Sequence, residues 1–131
     1  MISTKGRYAI RVMIDLAENE EKGLIPLKDI AERQDISKKY LEIIVKEMVV
    51  KNLVISASGK GGGYKLSRPA SDYTIGEIIE AVEGPLSPVV CLINKDYDCK
   101  RKGFCKTLPL WTEFDEMIHE FFYSKKLIDL L

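Results

Sequence analysis

The sequence is poor in the side chains that most often carry catalysis, and it lacks the segments that take a chain into a membrane. It has a single histidine, His119. No nucleophile–base pairing and no dinucleotide fingerprint accompany it, which leaves an enzyme little to work with. No apolar run approaches the roughly 18 residues of a membrane span. The opening string MISTKGRYAI carries Lys5 and Arg7 without the apolar core and cleavage site of a signal peptide. These absences predict a cytoplasmic chain with no membrane partner, where cysteines stay reduced. Internal repeats and low-complexity tracts are also missing. The 131 residues, 46% hydrophobic and 31% charged, suit one compact domain with at most a short extension.

Net charge is absent as well, since 20 basic and 20 acidic residues cancel. Their distribution does not cancel. Residues 1–70 hold 13 Lys+Arg against 9 Asp+Glu, a net of +4, and residues 71–131 hold 7 against 11, a net of −4. A basic front and an acidic back steer one face toward phosphate.

The periodicity predicts a helix from about Lys5 to Glu20, with Ala9, Val12, Met13 and Leu16 on one face and Gly23 as a stop. Pro26 opens a short second helix carrying Leu27, Ile30 and Ala31. Asp35 and Ile36 form a turn, and Ser37 is a good N-cap for a third helix. That helix places Tyr40, Leu41, Ile44, Val45 and Met48 on one stripe and Lys38, Lys39, Glu42 and Lys46 opposite, and Asn52 ends it. Two β-prone runs, Leu53–Ile55 and Tyr64–Leu66, flank a Gly-rich stretch, the pattern of a hairpin. Thr74 and Glu77 form a capping box for a helix to about Glu83, stopped by Gly84-Pro85. Residues 89 to 107 are expected to be a loop. Thr107 and Pro109 start a last helix bearing Trp111, Phe114, Ile118, Phe121 and Phe122, a stripe large for one small core.

Helix, short helix, turn, capped helix and two-stranded wing make a winged helix-turn-helix. The third helix is expected to enter the major groove and offer Ser37, Lys38, Lys39, Tyr40 and Glu42 near its N-terminus, where the helix dipole favours phosphate. Glu42 reads two ways: a carboxylate that accepts from the cytosine amino group, or a solvated helix-surface acid. In the wing, Ser58, Gly59, Lys60, Gly61, Gly62 and Tyr64 are the candidate contacts, with Gly63 completing the triplet and Lys65 adding charge. Glycines let backbone approach a groove closely. Lys28 joins the candidate DNA contacts. A phosphate loop is excluded, because the stretch has no Gly-Lys-Ser/Thr ending and lies between strands.

Cys91, Cys99 and Cys105 follow the pattern C-x7-C-x5-C within one loop. Thiols clustered this way favour metal or redox chemistry over a disulfide framework. Lys95, Lys100, Arg101, Lys102 and Lys106, against Asp96 and Asp98, would stabilise thiolates. Zinc is an alternative, although the usual C-x2-4-C pairs are missing. His119 reads as a surface or interface residue.

The strings STKGRYA (3–9), PLKDIAERQDIS (26–37), YLE (40–42), GKGGGYKL (59–66) and IGEIIEAVEG (75–84) resemble the Rrf-two (Rrf2) family of bacterial regulators, over nearly the whole chain. The resemblance implies a homodimer whose recognition helix and wing bind double-stranded promoter DNA at a palindromic site, with the last helix crossing to the partner. It also implies an iron–sulfur cluster on Cys91, Cys99 and Cys105, either 2Fe-2S or 4Fe-4S. Family branches take a fourth ligand from a His that is Leu108 here, or from an Asp that is Arg7 here. Asp96 and Asp98 are other oxygen donors. The family's wing Arg is replaced by Ser58, which implies that its groove contact is either lost or transferred to Lys60.

The expected fold is mainly α with a small β wing and a long C-terminal dimerisation helix. A winged domain covers 1–84, a cluster-binding cysteine loop 85–108, and the dimerisation helix and tail 109–131. The expected function is a repressor sensing iron–sulfur status, redox state or nitric oxide. The alternative is a cluster-free thiol-redox or partner-controlled repressor.

Overall fold

A computed structural model describes residues 2–94 and 96–131, so Lys95 lies outside the described residues. The helices are α1 (Thr4–Glu18), α2 (Leu27–Gln34), α3 (Lys38–Val50), α4 (Ile75–Glu83), α5 (Val90–Ile93) and α6 (Leu108–Ser124). Strands β1 (Val54–Ala57) and β2 (Gly63–Leu66) pair antiparallel, with Val54 opposite Leu66 and Ala57 opposite Gly63. The fold is a winged helix-turn-helix, largely helical with a small β wing. Among the described residues no helix is long and apolar enough to cross a membrane.

The stripes read from the sequence form the core. Ala9, Val12, Met13 and Leu16 of α1, Leu41, Ile44, Val45 and Met48 of α3, and Ile75, Ile78, Ile79 and Val82 of α4 are all buried together. The capping box is present, with Thr74 Oγ1 accepting from the Glu77 amide and Glu77 returning the bond to the Thr74 amide. One expectation changes. Residues 89–107 are not wholly irregular, because the apolar run Val90–Ile93 coils into one helical turn that points Cys91 and Leu92 at a hollow.

A buried acid braces the helix-turn-helix. Asp15 on α1 is only 1% exposed. It accepts from Arg33 Nε at 3.0 Å and Arg33 Nη2 at 2.8 Å, and from Gln34 Nε2 at 3.0 Å. A charge removed from water needs such a filled set of partners.

Tyr73, fully buried, closes the base of the wing. Its hydroxyl donates to the Leu53 carbonyl at 2.7 Å and accepts from the Ser67 and Arg68 amides at 3.0 and 2.9 Å. Arg68 lies over the Tyr73 ring at 4.3 Å and pairs with Glu77. The Tyr73 carbonyl accepts from Leu127 of the C-terminal tail, and the neighbouring Ile75 amide donates to Lys125. Leu127 has no exposed surface.

Helix α6 lies on α4 of the same chain. Its stripe is divided. Ile118 is buried and Phe122 packs against the core, whereas Leu110, Phe114, Met117 and Phe121 are 58%, 41%, 61% and 56% exposed. These four recur at i, i+4, i+7 and i+11, so they form one apolar ridge that the chain does not cover. Gly76 makes room for the α6 contact, since a Cβ there would stand 2.5 Å from the Tyr123 ring.

The two ends of α1 and α4 meet at Glu83. Its carboxylate accepts from the Ser3 amide at 3.0 Å, the Gly6 amide at 2.8 Å and the Ser3 hydroxyl, so it caps the amides that open α1. A Cβ on Gly6 would stand 2.8 Å from that carboxylate. Burial pushes the Glu83 pKa up, but the Ser3 hydroxyl and the Gly6 and Ser3 amides outweigh it and hold the pKa below the usual carboxylate range. A depressed folded pKa stabilises the chain above the unfolded value of about 4.3, and that contribution is lost as pH falls through the folded pKa. We expect Glu83→Gln to destabilise the chain at pH 7 by about 1–2 kcal/mol. The gap to wild type in thermal or urea unfolding should close below about pH 4. A gap that does not change with pH would show the carboxylate charge to be idle.

Candidate nucleic-acid interface and cysteine hollow

Helix α3 is aimed by the turn before it. Asp35, at φ 52, ends α2 in the left-handed region, and Ile36 is buried as the turn's anchor. Ser37 Oγ accepts from the Tyr40 amide at 3.1 Å, the N-cap expected from sequence. Ser37, Lys38, Lys39 and Glu42 lie exposed in the first turns, with Lys46 beyond them. Tyr40 differs from these. Its half-buried ring meets Tyr8 edge-on at 5.7 Å, and Arg11 lies over the Tyr8 ring at 5.2 Å. The ring therefore holds α3 against α1.

The wing lies beside this helix start. Lys28, Lys38, Ser58, Gly59, Gly62 and Tyr64 line one cleft of about 360 Å³, which brings six of the candidate DNA contacts to one place. Lys60 and Gly61 are exposed at the wing tip. The glycines divide by cause. A Cβ on Gly62 would stand 2.3 Å from the Ala57 carbonyl, and one on Gly63 would stand 2.4 Å from the Ile25 carbonyl. Internal crowding thus explains these two without any ligand. Gly59 and Gly61 have open space around them, and their φ of 86 and 79 is what favours glycine there.

Three residues here escaped the sequence analysis. Ile25 exchanges both backbone hydrogen bonds with Tyr64 at 2.8 Å, adding a third rung to the wing. The apolar Leu24-Ile25 pair before Pro26 was the available signal. Tyr73 and Arg68 fix the wing base, and nothing in local spacing marks the bond from Tyr73 back to Leu53.

The cysteines also converge. Cys91, Cys99 and Cys105 line one hollow of about 290 Å³ with Leu92, Tyr97, Lys102 and Leu108. All three are free thiols. Asp96 and Asp98 are exposed and do not line the hollow. Leu108, the first residue of α6, presents an apolar wall to the hollow. The soft thiols suit a thiolate-held cluster by donor chemistry. Among the described residues, no three Cys, His, Asp or Glu side chains stand close enough to hold a single metal ion. Arg7 lies exposed on α1, where it bonds Thr4.

Cys105 is distinct. Its Sγ lies 3.3 Å from Thr107 Oγ1. Hydrogen bonds from the Thr107 side chain and backbone lower the thiol pKa most, and the Leu108 amide and the Arg101 charge add to this. Thr107 stands at the N-cap of α6 yet caps no helical amide, because its hydroxyl is turned to the thiol.

The sequence profile of the Rrf2 family, described as an iron-dependent transcriptional regulator, matches residues 2–131. The chain is similar to the HTH-type transcriptional regulator IscR of Klebsiella pneumoniae, with 38% identity over 130 residues covering 99% of this chain and 78% of that protein. Its fold is similar to that of CymR, the global cysteine regulator of B. subtilis, with a TM-score of 0.78, 37% identity and coverage of 99% and 95%. It is also similar to T. potens IscR, with a TM-score of 0.78, 35% identity and coverage of 99% and 85%.

Two outcomes are expected from this geometry. Cys105 should be alkylated fastest of the three thiols at pH 7, and Thr107→Val should slow it roughly two- to fivefold, read by mass spectrometry. Equal rates in the variant and wild type would remove Thr107 as the activator. Gly63→Ala should cost at least about 2 kcal/mol, against about 1 kcal/mol for Gly61→Ala, by chemical denaturation.

Proposed function

The chain belongs to the Rrf2 family of transcriptional regulators, and from that premise we propose that it is a homodimeric repressor whose cysteine loop senses iron–sulfur status, redox state or nitric oxide. It is a DNA-binding regulator and not an enzyme. The observation that carries the sensing role is the convergence of all three thiols on one hollow at the foot of α6.

Cys91, Cys99 and Cys105 would hold the cluster as thiolates. A bound cluster supplies a centre whose presence or oxidation state varies with conditions. The chain's own residues do the rest. Thr107 and Leu108 join the hollow to the first turn of α6, so a rearrangement of the loop acts on that helix directly. The apolar ridge Leu110, Phe114, Met117 and Phe121 supports pairing with a second copy through α6. Moving α6 then changes the separation of two recognition helices, and half-site spacing is a strict geometric demand on a dimer. A differential stabilisation of a few kcal/mol is enough to switch it.

At the DNA face, Lys28 and Lys38 in the cleft, Lys39 beside it and Lys60 at the wing tip supply phosphate contacts. Ser37, Glu42 and the wing backbone from Ser58 to Gly62 approach the grooves. Tyr40 and Tyr64 act from behind by holding α3 and β2 in place.

A second reading has its own support. Leu108 offers no donor at the hollow, and CymR, a cysteine regulator, shares the fold. In that reading the thiols themselves are oxidised or a protein partner controls the dimer, with no cluster. Reconstitution under anaerobic conditions separates the two. The cluster reading expects visible absorbance that each of Cys91→Ser, Cys99→Ser and Cys105→Ser abolishes. A colourless chain that binds zinc tightly would overturn it. For the DNA face, Lys38→Ala, Lys39→Ala and Lys60→Ala should each weaken binding to a palindromic duplex and lower the salt slope by about 1. Unchanged binding in all three would sink the proposed face.

A further inference from the structure

We infer that His119 is the positioning residue that couples the cysteine loop to α6, and that it does so by holding the Leu86 carbonyl. This rests on the sensing role proposed above. His119 Nε2 lies 2.7 Å from Leu86 O. A carbonyl can only accept, so the ring proton sits on Nε2 and the imidazole donates. Leu86 is 2% exposed, immediately after the Gly84-Pro85 break that ends α4. The bond therefore pins the point where the chain leaves the core for the cysteine loop.

The other end of that loop is pinned covalently, because it runs into Leu108 at the start of α6. Leu108 and His119 are eleven residues apart on one helix, a span of about 16 Å. The cysteine loop is thus attached to α6 at two places three turns apart. A change in the hollow that alters the loop's end-to-end distance must either break the His119–Leu86 bond or carry α6 with it. Without the bond, the start of the loop is held only by the buried Leu86 side chain, and its backbone can adjust there and leave the helix where it is.

The ring's surroundings suit this role. It stacks on Tyr123 with centroids 6.0 Å apart and planes 6° from parallel. Glu80 Oε1 and Asp115 Oδ1 flank it at 3.9 and 3.7 Å, both beyond hydrogen-bond reach. Among the described residues, the bond that the ring does make goes to Leu86. The docking of α6 on α4 is carried instead by Ile118, Phe122 and the Tyr123–Gly76 contact. His119 itself touches neither the thiols nor the candidate DNA face.

The experiment compares the wild-type chain with His119→Phe, which keeps a flat ring for Tyr123 but has no donor, and His119→Gln, which restores an N–H. The duplex is a palindrome selected by the wild-type chain from a random-sequence pool. N-ethylmaleimide labelling of each cysteine is followed by mass spectrometry with and without saturating duplex, and duplex affinity is measured before and after alkylation. In the wild type, duplex should change the labelling of the cysteines and alkylation should change duplex affinity, each by about fivefold or more. In His119→Phe the reduced chain should bind the duplex within about twofold of wild type, while both ratios fall below about twofold. His119→Gln should recover part of the coupling. Wild-type ratios persisting in His119→Phe would overturn the inference and leave the sensing role standing. Ratios near one in the wild type itself would overturn both.

Discussion

The hydroxyl of Tyr73 is the interaction on which the working shape of this chain depends. It takes the backbone just before β1 and just after β2 and holds both to one oxygen, in a place with no exposure to solvent. A two-stranded hairpin is only marginally stable by itself. Here its base is closed by a buried phenol, its returning strand is paired to Ile25, and its exit is braced by Arg68 over the same ring. The wing then carries Gly59, Lys60 and Gly61 as an exposed tip on a braced stem.

The same residue joins regions that are distant in sequence. Tyr73 and Ile75 exchange backbone hydrogen bonds with Leu127 and Lys125, so the tail beyond α6 becomes a short neighbour of the segment that leads into α4. The cysteine loop feeds α6, α6 feeds the tail, and the tail rests on the wing base. Packed interiors do not deform smoothly, so the members of such a series hold one another in place. This gives the winged part and the thiol-lined hollow a material connection.

What could be read from the sequence follows from the range of the forces involved. The stripes of α1, α3 and α4 were legible because burial repeats with the helical period, and Ser37 and Thr74 were legible because a cap acts within three residues. The hairpin was legible from its glycines, but the reason for Gly62 and Gly63 was not. They are required by carbonyls of Ala57 and Ile25, and the second of these lies far back in the chain. Asp15, Tyr73 and Glu83 were missed for a related reason, since each has a partner 18 to 80 residues away. At the cysteines, spacing disclosed the chemistry of the donors, and folding was needed to place Leu108 beside them and to turn Thr107 toward one thiol. The aromatic stripe of α6 was read as one surface, and packing split it into a side that closes the core and a side that does not.

The burial of Leu127 also sets an order of assembly. During synthesis the chain emerges N-terminus first, at about 5–20 residues per second. The helices and strands of the winged part are made before residue 84, yet the carbonyl of Tyr73 and the pocket for Leu127 wait for a segment that follows the whole cysteine loop and α6. A nascent chain therefore carries its DNA face on an unfinished core for the time needed to add some forty further residues. Leu127 follows all three thiols in the chain, so its place in that core is filled only once the cysteine loop has been made.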